Sequence, residues 1–249
     1  MTSCPSCAHE FLIDYNKCIT YRTKQNVLPT MPTHLATCEQ CGIKFAIPRC
    51  SQNEIEMLYK KGGYWKKYTE NIFTPSEAPG EFIQSAIRWR FILQHTGNSL
   101  FDILDVGAGY GFLGQAVYRT ARERLHSYTV VEKDAYFLNS LKRTWSREFS
   151  DINFKAYSDL RKVEGEFNLI ALSHILEHLT NPFDYLKLVQ NLLTKNGTLF
   201  IEVPFLDYQF KNDLFPHLLF FDPISLRLLC ERAGFNVLTV QSFGALIAK

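Results

Sequence analysis

Three groups of residues have the types and spacings to do chemistry. The first is a set of cysteines. Six of the seven fall within the first 50 positions, and four of these form two Cys-x-x-Cys pairs, Cys4 with Cys7 and Cys38 with Cys41. Two such pairs can bring four thiolates to a tetrahedral zinc ion. Residues 8–37 lie between them, a longer gap than is usual, so that segment is expected to form a loop or hairpin of its own. A segment this short has little core and gains from a metal staple. His9 and His34 are open alternatives for one ligand, and reduced, unliganded thiols are the plainer alternative. An odd total argues against a disulfide framework, and Cys18, Cys50 and Cys230 have no partner pattern.

The second group is the run Asp105-Val106-Gly107-Ala108-Gly109-Tyr110-Gly111, with Glu132 21 residues beyond Gly111. Glycines let a backbone turn tightly and let a ligand approach a helix N-terminus. A carboxylate at the position of Glu132 can accept hydrogen bonds from both hydroxyls of a ribose. Gly109, Gly111 and Gly114 also fit the dinucleotide pattern G-x-G-x-x-G, a weak signal alone. Asp105 just ahead of the turn would repel a pyrophosphate but suits a ligand with an ammonium and a sulfonium. The register therefore favours S-adenosylmethionine (SAM) over NAD.

The third group is His174, Glu177, His178 and His217. If residues 174–178 are helical, the first three share one face. Imidazoles titrate near neutrality and suit a general base. The same four side chains are also ligand types for a divalent ion. The plainest alternative is that Glu177 and His178 only cap and orient a loop. His95, near a helix end, reads as a capping residue.

The elements that must position these groups follow from periodicity. A short helix is expected at 52–61, then an aromatic cluster around Tyr64, Trp65 and Tyr68. A second helix is expected at 80–95, with Phe82, Ile83, Ile87, Phe91 and Ile92 at helical spacing. From residue 100 strands and helices alternate. Strands are predicted at 100–106, 127–132, 151–157, 167–173, 197–203, 235–241 and 244–249. The helices between them are one opened by the glycines, then 135–149, 181–193 with Pro182 in its first turn, and 222–234. This rhythm predicts an α/β fold: a Rossmann-like, doubly wound, mostly parallel seven-stranded sheet with a small N-terminal Cys4 zinc-knuckle domain. The expected boundaries are 1–50 for the zinc module, 51–98 for a helical and aromatic segment covering the site, and 99–249 for the cofactor-binding sheet.

Composition narrows the partners. The chain has 249 residues, 27 Lys+Arg against 25 Asp+Glu, and 46% hydrophobic residues. A core can be buried, and bulk charge does not point to nucleic acid or anionic membrane. Residues 1–70 carry nine Lys/Arg against six Asp/Glu, and the patch at Lys60, Lys61, Lys66 and Lys67 reads more as a solvated face than a phosphate track. The opening MTSCPSCAHE has no secretory pattern, and no apolar run is long enough to span a membrane, so a cytoplasmic setting is expected.

Several motifs together resemble the class I SAM-dependent methyltransferases. They are the Asp105–Gly111 run, Glu132, the run from Leu172 to Pro182, and the stretch from Pro216 to Leu226 followed by Ala233-Gly234-Phe235. The resemblance spans about residues 80–249. With cysteine knuckles ahead of Tyr64 and Trp65, the layout is similar to bacterial methyltransferases with an N-terminal zinc-binding domain, found in sugar, surface-polysaccharide and secondary-metabolite pathways. The best known are sugar C-methyltransferases with an additional C-terminal domain not seen in this sequence, which shifts the expectation to O- or N-methylation.

The resemblance implies that Gly107, Ala108 and Gly109 line the methionine end of SAM, with Asp105 near its amino group and Gly111 completing the turn. Glu132 would hold the ribose and Lys133 flank the adenine. Asp159 would meet the adenine amino group, with Tyr157 and Ser158 as alternatives. Ser173 and His174 would face the methyl group, and Tyr64 or Tyr68 close over the cofactor. His178 or His217, with His174 third, would serve as base. The metal alternative resembles the Glu-x-x-Glu-His…His arrangement of methyltransferases acting on RNA 3′ ends, with His174 in place of the first Glu. The expected reaction is methyl transfer from SAM, leaving S-adenosylhomocysteine (SAH), to an O or N atom of a small acceptor such as a sugar or a nucleotide- or lipid-linked saccharide. Acceptor choice is expected in 50–98 and 204–222, with Phe205, Tyr208, Phe210, Phe215, Phe220 and Phe221 among the candidates. The alternatives are an RNA methyltransferase with a zinc-ribbon domain, a sugar C-methyltransferase, and a non-enzymatic SAM-fold module that docks a partner.

Overall fold

A computed structural model describes residues 2–20, 34–49, 51, 53–55, 74–97, 100–209 and 216–242. In chain order the strands are β1 (Thr2–Ser3), β2 (Glu10–Phe11), β3 (Ile19–Thr20), β4 (His34–Thr37), β5 (Lys44–Ile47), β6 (Phe101–Val106), β7 (Leu125–Val131), β8 (Asn153–Tyr157), β9 (Phe167–Ser173), β10 (Leu193–Glu202) and β11 (Leu219–Phe220). The helices are α1 (Pro79–Leu93), α2 (Phe112–Ala121), α3 (Ala135–Glu148), α4 (Pro182–Asn191) and α5 (Pro223–Arg232). The chain divides into two compact units, one of Met1–Met57, His174–Gln190 and Val203–Lys249, the other of Leu58–Ser173 and Asn191–Glu202.

The second unit holds a five-stranded, wholly parallel sheet in the order β10-β9-β6-β7-β8, flanked by helices. Strand order reverses beside β6: the chain steps outward through β7 and β8, then returns to place β9 on the other side. In open α/β sheets the crevice at such a reversal, at the carboxyl ends of the strands, is where ligands bind. The interior strand β9 is a near-continuous apolar run because both its faces are covered. Leu169, Ile170, Ala171 and Leu172 of β9 are all fully buried. Trp145 of α3 and Tyr128 of β7 pack with ring centroids 4.4 Å apart, tilted by 35°, within this core. Asp134 caps α3 by accepting from the Tyr136 and Phe137 amides. Helices α1 and α2 meet through Phe82 against Phe112, and the Trp89 indole donates to Thr120 Oγ1 at 3.0 Å.

Among the described residues the parallel sheet has five of the seven strands expected. Residues 235–241 form no strand, and 244–249 lie outside the described residues. The β-branched and aromatic residues of 235–241 suit a strand, but a strand exists only through a ladder partner. None appears among the described residues, and Leu238 stays 63% exposed. Of the helix expected at 52–61, only 53–55 are described, as helix, with Ser51 and Glu54 bonded as a capping box.

The first unit contains two cysteine turns. Cys4–Cys7 sits between β1 and β2. Cys38–Cys41 sits in the β4–β5 hairpin, closed by the Cys38 amide on Ile43 O and the Gly42 amide on Cys38 O, both at 2.9 Å. The second sheet runs β11-β5-β4-β3, all antiparallel, so two residues from position 219 onward complete a sheet begun at position 19. Helix α5 is opened by a reciprocal Asp222–Ser225 capping box. Among the described residues no helix is long and apolar enough to cross a membrane.

Candidate active site and metal-ligand clusters

The glycine turn lies at the carboxyl end of β6. Gly107, Gly109 and Gly111 take φ of 73°, 52° and 69°, in the left-handed region that β-carbons disfavour. The turn is tied to β7 by the Gly107 amide on Val131 O at 2.7 Å. A Cβ at Gly109 would meet nothing within 4 Å, so its backbone faces open space into which a ligand can approach. Gly111 is the opposite case, since a Cβ there would come within 2.5 Å of Leu141.

Two carboxylates flank the turn. Asp105 is 4% exposed and accepts the Tyr128 hydroxyl at 2.6 Å. Burial pushes its carboxyl up to about 6, against the opposing pull of the Tyr128 hydrogen bond and the Arg88 charge. Glu132, one residue past β7, accepts the Gly109 amide at 3.0 Å on Oε2 and the Asp134 amide at 2.9 Å on Oε1. Burial raises its carboxyl too, while those two amides oppose the rise. The glycine turn and the ribose-holding candidate are thus one hydrogen-bonded assembly. Each Glu132 oxygen accepts one of these amides and has a second lone pair for a hydroxyl.

The remaining cofactor candidates are placed less uniformly. Ala108 lies within the turn and Lys133 is exposed beside Glu132. Asp159 follows β8 as expected, but its carboxylate is engaged by its own loop. The Arg161 guanidinium binds it at 2.6 Å and holds it down at about 2. Ser173 ends β9, paired in register with Glu202. Tyr64, Trp65 and Tyr68 lie outside the described residues, as do the basic patch at 60–67 and Phe210 and Phe215. Phe220 and Phe221 are buried, at 2% and 1% exposed, in and just after β11, the edge strand of the N-terminal sheet. Tyr208 packs edge-on against Phe220 and is buried with it.

The histidine run is not an α-helix. His174 has φ of 56°, and only Leu176–His178 form a single 3-10 turn. A left-handed residue cannot continue a right-handed helix. The side chains still converge. Glu177 Oε1 lies 3.2 Å from His174 Nδ1, and the His178 and His217 rings meet edge-on with centroids 4.9 Å apart. The Leu218 amide on Glu177 O at 2.7 Å fixes the two segments in register. His178 Nδ1 meets the Pro216 carbonyl at 3.1 Å, and His217 Nδ1 meets Asp207 Oδ2 at 2.6 Å. Burial keeps His178 below the usual imidazole range, against the pull of Glu177.

Tyr128 and Asp207 are the residues that sequence reasoning missed. Tyr128 carried a faint signal as the one polar-tipped aromatic in the apolar run of β7. Asp207 carried none, since its partner His217 lies ten residues away with no spacing motif linking the two.

The four knuckle cysteines come together without His9 or His34. Cys4 and Cys41 sulfurs are 3.6 Å apart, Cys7 and Cys38 sulfurs 3.5 Å, and all four lie within 4.8 Å of one another. Ligand sulfurs around tetrahedral zinc, at about 2.3 Å each, stand about 3.8 Å apart, so the donor set fits that ion. The Ser6 and Cys7 amides point at Cys4 Sγ, as amides do toward a thiolate. His9 instead stacks on Phe11, and His34 meets Tyr15 edge-on.

Comparison with known proteins agrees with the fold. The sequence matches the methyltransferase-domain family over residues 60–240. No curated protein matches it. Among solved structures it is similar to a Haloferax volcanii complex of a methyltransferase activator with a methyltransferase, at 12% identity, TM-score 0.52, covering 74% of this chain and 77% of that one. It is similar to LaPhzM at 18% identity, TM-score 0.50, covering 70% and 55%. It is also similar to coclaurine N-methyltransferase bound to N-methylheliamine and SAH, at 19% identity, TM-score 0.45, covering 61% and 48%. The chain thus spans about half the length of the last two. Likeness at such identities speaks to the fold alone. The family match, over most of the chain and including the whole glycine turn and parallel sheet, makes this chain a member of the methyltransferase-domain family, with the Rossmann-like fold of the SAM-dependent methyltransferases.

Proposed function

We propose that the chain transfers a methyl group from SAM to an oxygen or nitrogen of a small polar acceptor, a sugar or a nucleotide- or lipid-linked saccharide. The observation that carries this reading is the glycine turn held to Glu132 through the Gly109 amide, beside the strand-order reversal. SAM, when bound, supplies an electrophilic methyl group open to in-line displacement by the acceptor.

The chain's own groups then have assignable tasks. Gly109 presents open backbone to the methionine end, and Gly107, Ala108 and Gly111 complete the turn around it. Asp105 supplies negative charge for its ammonium, and its buried, raised carboxyl regains stability when that cation arrives. Glu132 accepts from the ribose hydroxyls, with its orientation fixed beforehand by two backbone amides. Lys133, Asp159 and Ser173 flank the adenine and the transferred methyl, and Tyr64 closes over them. For a hydroxyl acceptor, His178, His217 and His174 are the imidazoles assigned to its proton. Asp207 orients His217 as an aspartate orients a catalytic imidazole. Cys4, Cys7, Cys38 and Cys41 hold a structural zinc ion that staples the N-terminal turns.

The test is transfer of label from methyl-labelled SAM to a panel of hydroxylated and amino sugars and their nucleotide-linked forms. A labelled O- or N-methyl product is expected. Label found only on RNA, or on carbon, would overturn the acceptor assignment.

A further inference from the structure

The histidine cluster holds a donor set that the methyl-transfer reading leaves unexplained. Glu177, His178 and His217 each bring one ligand atom to within 4.8 Å of the others. Glu177 is 1% exposed, and its Oε2 has no hydrogen-bond partner among the described residues. Native structures rarely leave a buried carboxylate oxygen unpaired, and where they do an ion or water accounts for it.

The neighbouring groups favour an ion. Pro216 O takes the Nδ1 proton of His178, and Asp207 faces Nδ1 of His217. The His178 ring therefore carries its lone pair on Nε2, which stands 3.8 Å from Glu177 Oε1, acceptor against acceptor and too far for a hydrogen bond. A cation between them satisfies both, together with the buried Glu177 oxygen that no described protein group reaches. Carbonyl and carboxylate partners on the far ring nitrogen are also how metal-binding imidazoles are held in orientation.

We propose that Glu177, His178 and His217 bind one divalent first-row transition-metal ion, with Asp207 and the Pro216 carbonyl as positioning groups. Two ring nitrogens and one carboxylate suit zinc, manganese, iron or cobalt, and not calcium or magnesium, which take oxygen ligands. Neighbouring ligands around such an ion stand about 3–3.5 Å apart, so binding draws His178 Nε2 and Glu177 Oε1, now at 3.8 Å, inward. The site is separate from the four thiols, and it stands whether or not SAM binds. If an acceptor hydroxyl reaches it, the ion acidifies that hydroxyl, and His178 and His217 act as ligands in place of bases.

The experiment uses the full chain with its thiol cluster loaded with zinc, titrated with cobalt(II) and followed by calorimetry and visible absorption. One further equivalent of cobalt is expected, with weak visible bands and without the near-ultraviolet charge transfer of thiolate coordination. Glu177→Gln and His217→Asn should lose that equivalent. Asp207→Asn should keep it with affinity about 10–100-fold weaker. X-ray absorption on the wild-type cobalt form should show two imidazoles, a readout that needs no variant to fold. Absence of a second equivalent at millimolar cobalt, or a spectrum lacking imidazole scattering, would overturn the site. SAM binding by the same wild-type sample is scored separately, so failure of this site and failure of the methyl-transfer reading are told apart.

Discussion

Asp105 should make the free protein less stable at neutral pH than it need be, and Asp105→Asn should reveal by how much. The carboxyl is buried and rises from an ordinary 3.8 to about 6. A gap of about 2 pKa units corresponds to about 3 kcal/mol of unfavourable ionisation. For a carboxyl whose folded value is raised, the stabilising contribution is complete below the unfolded value. It is lost as pH climbs through the folded value. The penalty therefore grows between about pH 4 and pH 6 and is constant above. Asparagine keeps a carbonyl for the Tyr128 hydroxyl but never ionises. At pH 7.5 the variant should melt higher by about 6–12 °C, at about 2–4 °C per kcal/mol for a chain this size. At pH 4 the difference should vanish. The same variant should bind SAM at least about tenfold more weakly, having lost the charge assigned to its ammonium. Calorimetric melts from pH 4 to 8 on ligand-free protein read the first effect, and titration with SAM the second. Equal melting temperatures at pH 7.5, or a gap that persists at pH 4, would refute the reasoning.

Three further outcomes are expected. Gly114→Ala should destabilise the sheet unit by about 1–3 kcal/mol or more in denaturant melts, because the new Cβ would sit 2.5 Å from Tyr128 Cζ and 2.8 Å from Trp145, both fully buried. Glu132→Gln should weaken SAM at least about tenfold in calorimetry, since an amide NH2 must then face either the Gly109 or the Asp134 amide donor. Cys38→Ser should release the zinc of the thiol cluster in elemental analysis and render residues 1–49 sensitive to protease, with the β6–β10 sheet unit still protected.

The strands and helices from residue 100 to 202 were legible because a buried parallel sheet imprints long apolar runs, and Asp134 and Pro182 mark helix starts locally. The thiol cluster was legible too, since a Cys-x-x-Cys turn is a local geometry. What escaped depends on contacts distant in sequence. Leu219 and Phe220 read as part of the 204–222 loop, yet they pair with Phe45 and Lys44, and no local pattern announces that register. Asp207 gains its role only through its contact with His217, ten residues on. The run from His174 looked helical by spacing, but its opening residue adopts a left-handed φ that a histidine rarely takes and that spacing does not encode. Residues 235–241 show the converse: their β-branched and aromatic content suits a strand, but a strand also needs a partner.

The central claim is that the glycine turn and Glu132 form a SAM site. Calorimetric titration of the wild-type chain with SAM and with SAH tests it most directly. Both should bind at one site per chain, with dissociation constants between about 1 μM and the sub-millimolar range typical of cofactors and substrates. Absence of heat and of any melting shift at millimolar SAM and SAH would contradict it.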